Sequence, residues 1–279
     1  GRNRVANVNS PAGVTDFRAS LDQMGRELPK VGSVSLVVSW FGTDLRCGDC
    51  TISPKAEQVT AEAAQPWRVS GLARRNAEVV ATREGRPVYG GTPSDGSVIE
   101  ALTALAQAGK RAVFYPFILM EQLRGNARPD PWGGSEQPAL PWRGRITLSR
   151  APGEVGSPFG TIAAKAEVAR FFGSARVEDF TATGTTIVYT GPPEWSYRRF
   201  ILHYAHLCAL AGGVDAFCIG SEMVALTAIR DAGGFPAVAE LCRLAADVRA
   251  ILPDAKIGYA ADWSEYFGTT DPEGNRWFH

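Results

Sequence analysis

The sequence has no excess of charge in either sign: Lys+Arg and Asp+Glu both total 29 in 279 residues. A neutral chain generates no field that gathers phosphates, so nucleic acid is excluded as an expected partner and so is an anionic membrane surface. Long hydrophobic runs are missing too. The longest, such as Ala112 to Met120, fall well short of the roughly 20 apolar residues of a membrane helix. No membrane span is expected, and the N-terminus shows no signal-peptide pattern.

Cysteine is scarce and odd in number: Cys47, Cys50, Cys208, Cys218 and Cys242. Only Cys47-Gly-Asp-Cys50 forms a close pair, in a turn-rich loop whose surroundings supply no further zinc ligands. A thioredoxin-like role needs such a pair to open a helix, and Thr51-Ile52-Ser53-Pro54 is a poor helix start. Loop thiols or a local disulfide are expected there, and core positions for Cys208, Cys218 and Cys242. G-x-S-x-G, P-loop and dinucleotide fingerprints are absent. Tyr89-Gly90-Gly91-Thr92 precedes a helix but lacks the Lys and the spacing for phosphate, so it reads as a turn. His203 and His206 stand three apart, a chelating spacing, yet without a third ligand they read as one face of a helix. Neither a metal nor a cofactor is expected.

What the chain does have is helix-then-strand rhythm. Thr15 can cap a helix carrying Phe17, Leu21, Met24 and Leu28, closed by Pro29. The run Ser33 to Phe41 follows, β-branched and continuous, as in a strand covered on both faces. Ser97-Val98-Ile99-Glu100 matches a capping box, Ile99, Leu102, Leu105 and Ala106 form a helical stripe, and Gly109 is a fitting stop. Arg111 to Met120 is the second strand, distorted or edge-like around Pro116. Trp195 to Ala211 is the clearest helix, leading into Val214 to Met223. Phe235 to Leu252 repeats the pattern and delivers the strand Lys256 to Asp262.

Four such units in series predict a parallel sheet. They are interrupted by insertions at about 43–93, with at best a weak helix over 69–80 and a hairpin, and at about 121–160. The second is a Pro- and Gly-rich stretch of a length that is usually functional or disordered. A helix over 163–172 and a short strand over 185–190 are weaker expectations. Four strands cannot close a barrel of eight. The chain, which starts at Gly1 and stops at His279 after a strand-like segment, is therefore expected to be a piece of a longer polypeptide.

In parallel α/β folds chemistry collects where strands end. The residues expected at that rim are Trp40, Phe41 and Asp44, then Glu121, then Glu222, then Asp262 and Trp263. Acids ringed by indoles suit carbohydrate: flat sugar faces stack on rings while hydroxyls seek acceptors. Glu222, delivered by Phe217-Cys218-Ile219-Gly220-Ser221, is the leading candidate for an acid/base. Donating a proton near neutrality would require apolar surroundings, from Phe217, Ile219 and Met223. The competing reading is a strand-end Glu paired with an Arg such as Arg198 or Arg230. Glycoside cleavage takes two carboxyls, about 5 Å apart for retention, and only one strong candidate is present.

Several motifs in one order carry a resemblance. Val37-Val38-Ser39-Trp40-Phe41-Gly42, Tyr89-Gly90-Gly91-Thr92-Pro93-Ser94-Asp95, Phe114-Tyr115-Pro116-Phe117, Pro141-Trp142-Arg143-Gly144-Arg145-Ile146-Thr147, Tyr197-Arg198-Arg199-Phe200 and Ile219-Gly220-Ser221-Glu222 are similar to the TIM-barrel-like domain of the large tail (baseplate) protein of gene transfer agents and related phage tails. That domain in turn resembles retaining TIM-barrel glycoside hydrolases, in particular a β-mannanase-like family.

The resemblance implies one partial (βα)8 domain over 1–279, with Glu222 at the catalytic acid/base position on barrel strand four and Tyr259 to Trp263 on strand five. Trp40, Trp142, Asp262 and Trp263 become expected substrate-binding residues. Ser221 stands where many relatives carry Asn, and the nucleophilic Glu would fall beyond His279. The expected function is binding, and with a second acid retaining cleavage, of cell-surface or cell-wall glycan by a virus-like particle. Its tail tip would be made in the cytoplasm, be extracellular after release, and include other tail and baseplate proteins. The alternatives are a glycan-binding module without catalysis and a purely structural tail component.

Overall fold

The computed structural model describes residues 7–11, 13–60, 65–270 and 276–277. Helix α1 (Asp16–Glu27) begins where Thr15 Oγ1 accepts the Arg18 N–H and ends ahead of Pro29, with Leu21 in the core. Strand β1 (Ser33–Gly42) follows. Helix α2 (Asp95–Gln107) corrects the expected cap: Ser94 Oγ, not Ser97, holds the first turn by accepting the Ser97 N–H. The helix therefore starts three residues early, because Asp95 in its first turn finds buried partners in His203 and Thr186.

The series continues through β2 (Arg111–Met120), α3 (Ile162–Phe172), α4 (Tyr197–Leu210), β3 (Ala216–Ser221), α5 (Pro236–Ile251) and β4 (Lys256–Ala260). Strands β1 to β4 lie side by side in chain order and all are parallel. A two-residue antiparallel strand, Ile52–Ser53, borders β1. Parallel neighbours joined in sequence through helices are the succession of a TIM-type barrel. The fold is a mixed α/β, TIM-barrel-like one.

The two faces of this sheet differ. Along β2 alternate residues from Ala112 to Met120 are buried while their neighbours are only half-buried. The buried side meets the helices: Trp40 packs on Phe200, Phe114 on Tyr204, and Phe217 stacks on Phe114. On the other side Val37 is 53% exposed. The expectation that β1 is covered on both faces is thus corrected in part: helices cover one face, and the other is open at Val37 but closed at Phe41, which is 0% exposed and lies beside Tyr89.

Pro116 lies inside a central strand and pairs in register with Val38 of β1. The ladder from β2 to β3 stops at Phe114. Asp215 N–H donates to Ala112 O, so the backbone of residue 112 faces β3, and by the two-residue period Pro116 turns its missing N–H the same way. The distortion expected at Pro116 is this local loss of pairing, not an edge.

No helix forms over 69–80. Arg68–Val69 and Leu72–Ala73 pair as a hairpin through Ser70 and Gly71, both at positive φ, and a 3₁₀ turn at Arg74–Asn76 leads to Glu78–Val79, which pairs with Lys55–Ala56. A Gly in the turn and β-branched Val79-Val80 outweigh the weak helical pattern. Thr82–Arg83 and Arg86–Pro87 form a second hairpin, and Phe180–Thr183 pairs with Thr186–Tyr189 much as expected. Between 121 and 160 the chain is irregular apart from a 3₁₀ turn at Arg143–Arg145. Side chains order it instead: Asn126 donates to Leu123 O and Gln137 O, and Gln137 bridges Asp44 Oδ1, Pro129 O and the Leu45 N–H. Thr269–Thr270 pairs with Arg276–Trp277. Residues 1 and 278–279, on which the expectations about the chain ends fall, lie outside the described residues.

Candidate functional site at the strand rim

Glu222 follows β3 directly, at its C-terminal end. Its φ is 51°, a left-handed conformation that is uncommon for a residue with a Cβ and tends to mark functional positions. The backbone around it is tied from several sides. Glu222 N–H donates to Ala260 O at 2.9 Å, Met223 N–H to Tyr259 Oη at 2.7 Å, and Tyr197 Oη–H to Ile219 O at 2.6 Å. Gly220 makes the last bond feasible, because a Cβ there would stand 2.6 Å from Tyr197 Oη. Tyr259 passes its own proton toward Glu265, whose Oε1 also accepts from Thr227 Oγ1. Burial pushes the phenols of Tyr197 and Tyr259 up, with the Glu265 charge adding to the effect at Tyr259, so both remain donors.

The Glu222 side chain is 37% exposed. Its Oε2 accepts two bonds, from Arg143 Nη2 at 2.8 Å and from Trp142 Nε1 at 3.0 Å. Oε1 has no hydrogen-bond partner among the described residues. The Trp142 indole is 42% exposed and lies across Gly144, where a Cβ would be 2.5 Å from the ring. Any other residue at 144 would displace the indole. Arg143 is buried, with its guanidinium carbon 3.8 Å from the centroid of Phe117, on the face of β2 turned away from the helices.

The competing reading of Glu222 as an ion-paired residue is thus partly realised, but with an arginine neither of the two suggested. Arg198 pairs with Asp247, and Arg230 lies over Phe235. The apolar surroundings expected from Phe217, Ile219 and Met223 take another form. Those side chains are buried in the core, while the groups on the carboxylate itself are a cation and an indole N–H.

Trp40 is corrected. It is 0% exposed, its Nε1 donates to Tyr204 Oη at 2.9 Å, and its ring is enclosed by Trp195, Phe200, His203 and Tyr204. A buried indole offers no stacking face to a sugar. Trp263 is 75% exposed and opens the 3₁₀ turn Trp263–Phe267 after β4. Asp262 caps that turn, its Oδ2 accepting from Ser264 N and Oγ, and these bonds hold its carboxyl below the usual aspartate value.

The other rim acids are committed as well. Asp44 binds Arg46 and Gln137, and Glu121 binds Lys55 and the Ala81 N–H. His203 and His206 diverge, one to Asp95 Oδ1 and the other to Val177 O. Among the described residues no cluster of three metal-ligating side chains occurs. Cys47, Cys50 and Cys208 are buried free thiols, whereas Cys242 is exposed, which corrects its expected core position. It faces a cavity of about 460 Å³ beside β4, lined also by Leu241, Ala245, Tyr259 and Tyr266.

Reading the sequence alone missed Arg143, Tyr259 and Glu265 as partners of this rim. The one available signal for Arg143 was its place beside Trp142 in a long, unstructured-looking insertion.

A family model described as a GTA TIM-barrel-like domain matches residues 195–279, a segment that contains α4, β3, α5 and β4. No curated protein matches the sequence. Among solved structures, the chain is similar to the GH113 β-mannanase AaManA from Alicyclobacillus acidocaldarius in complex with ManMIm, at 17% identity and a TM-score of 0.46, covering 91% of this chain and 51% of that one. Two structures of GH113 β-1,4-mannanase match at 13% and 14% identity with TM-scores of 0.43 and 0.40, each over 90% of this chain. The chain spans about half the length of these structures.

Proposed function

We propose that this domain binds a cell-envelope glycan at the Trp142–Glu222 rim, as a component of the tail baseplate of a phage-like gene transfer agent. The observation that carries the reading is a solvent-open indole whose N–H donates to a half-exposed carboxylate at the C-terminal end of a parallel strand. The indole face suits the apolar face of a pyranose, and Glu222 Oε1 is left to accept a sugar hydroxyl. Trp263, exposed after β4, offers a second indole to a ligand. The description of the matching family model and the order of motifs along the chain support the tail context. In that context the domain would sit at the tail tip among other tail proteins, be made in the cytoplasm and meet the envelope after release.

Binding needs only groups that the described residues supply. Retaining hydrolysis needs a second carboxyl about 5 Å from the first, and among the described residues the other acids expected at the rim, Asp44, Glu121 and Asp262, are engaged by cations or caps, as Glu222 Oε2 is by Arg143. Hydrolysis with Glu222 as acid/base is the second reading, favoured by its partner-free Oε1.

The test is retention of purified envelope glycans by the immobilised protein, with released reducing ends followed in parallel. Binding without product, weakened about tenfold or more by Trp142→Ala and by Glu222→Gln, is expected. Failure of the wild-type protein to retain any envelope glycan would refute the reading. Product formation that Glu222→Gln abolishes would establish the hydrolytic one.

A further inference from the structure

We infer that Arg143 is the positioning residue of this rim: one guanidinium clamps Ser221 and Glu222 together, fixes Glu222 Oε2 and turns Oε1 toward a ligand. As a statement about ligand binding this rests on the glycan reading above; as a statement about geometry it does not.

Three observations converge on it. The Arg143 side chain is 5% exposed, so its charge is removed from water and must be matched by hydrogen bonds. The match is made by two consecutive residues. Nε donates to Ser221 O at 3.0 Å and lies 3.2 Å from Ser221 Oγ, while Nη2 donates to Ser221 Oγ at 3.0 Å and to Glu222 Oε2 at 2.8 Å. The plane of the fork is set by Phe117, beneath it at 3.8 Å.

The backbone between those two residues is where the clamp acts. Glu222 adopts φ 51°, a conformation that persists only where its surroundings over-determine it. Tyr259 and Ala260 restrain its main chain from the β4 side, and Arg143 restrains both the Ser221 carbonyl and the Glu222 carboxylate from the β2 side. The short Ser221 side chain places its Oγ within reach of Nε and Nη2 alike. Lysine would keep the charge at 143 but present a single ammonium in place of the planar fork, and could not hold both residues in one geometry.

The reporter is the Trp142 indole N–H, which shares Glu222 Oε2 with Arg143. Its resonance in a ¹H–¹⁵N spectrum, assigned with Trp142→Phe, reads the position of that oxygen without any ligand. Arg143→Met keeps much of the side-chain bulk and removes the donors. It should shift the Trp142 resonance and speed its exchange with water about tenfold or more, and leave the Trp40 indole, held by Tyr204 in the core, in place. Arg143→Lys should recover only part of the shift, and Ser221→Ala should produce a smaller change in the same direction. Ser221→Ala keeps the experiment decisive should Arg143→Met fail to fold. Wild-type Trp142 resonance and exchange in a folded Arg143→Met protein, or in Ser221→Ala where that is the folded variant, would overturn the inference. A shifted resonance in a protein that binds no glycan would leave Arg143 as the clamp and sink the glycan reading instead. Where glycan is bound, weakening by Arg143→Met with the Lys variant intermediate is the expected result.

Discussion

Replacing Trp40 by Phe separates two roles for an indole that lies at a strand end. The ring is enclosed by Phe200 at 5.1 Å, His203 at 5.4 Å and Trp195 at 5.7 Å between centroids, and its N–H donates to Tyr204 Oη at 2.9 Å. Phenylalanine keeps part of the ring packing and deletes the donor. Leaving a buried hydroxyl short of a partner costs about 1–3 kcal/mol, and the space vacated by the smaller ring adds about 1–2 kcal/mol. The sum, roughly 2–5 kcal/mol, is survivable in a domain of about 5–15 kcal/mol stability. With a urea slope of about 1–3 kcal/mol per molar, the unfolding midpoint followed by circular dichroism should fall by about 0.7 M or more. Glycan affinity of the folded Trp40→Phe protein should equal that of the wild type, in contrast to Trp142→Ala. An unchanged midpoint combined with lost affinity would refute the argument, because it would put the Trp40 ring at the surface.

Thiol reactivity and acid stability are fixed by burial and ion pairing in the same way. Burial pushes the Cys50 thiol up to about 11 and Cys47 higher still, with the Glu167 charge adding to burial there, so at pH 8 only about one Cys50 in a thousand is thiolate. Brief alkylation of the native protein, read by peptide mass spectrometry, should label the exposed Cys242 and spare Cys47 and Cys50, and equal labelling of all three would contradict their burial. Burial pushes the Asp44 carboxyl up, but hydrogen bonds from Arg46 and Gln137 outweigh it and hold the group below its ordinary value of 3.8. A depressed carboxyl contributes stability that is complete above the unfolded value and lost as pH falls through the folded one. Asp44→Asn should therefore be destabilising at pH 7, with the gap to wild type closing only as pH drops below about 3.8. A gap that is constant over that range would show that the ion pair is not the cause.

What was legible in the sequence was legible for local reasons. Phe17, Leu21 and Met24 announce α1, the apolar run 214–223 announces β3, and a helix ahead of each strand requires parallel neighbours. Each signal lies within one element and needs no partner to be read. Glu222 was found the same way, as the acid at the end of such a run. The cap of α2 was misread because Ser94 and Ser97 are locally equivalent, and only the distant pair His203 and Thr186, reaching Asp95, decides between them. The weak helix over 69–80 gave way for a related reason, since its Ser70-Gly71 turn and the pairing of Glu78–Val79 with Lys55–Ala56 outweigh a faint period.

The sequence by itself determined the order of helices and strands, their parallel class, and the delivery of an acid to the rim, since period and chain direction are written in consecutive residues. The tertiary structure decided which face of each strand the helices would cover, and with it that Trp40 is core while Phe117 lies on the other face beneath Arg143. It also decided which of several arginines would meet Glu222. That choice joins residues 143 and 222 through an irregular insertion, and no local pattern encodes a contact made across such a separation.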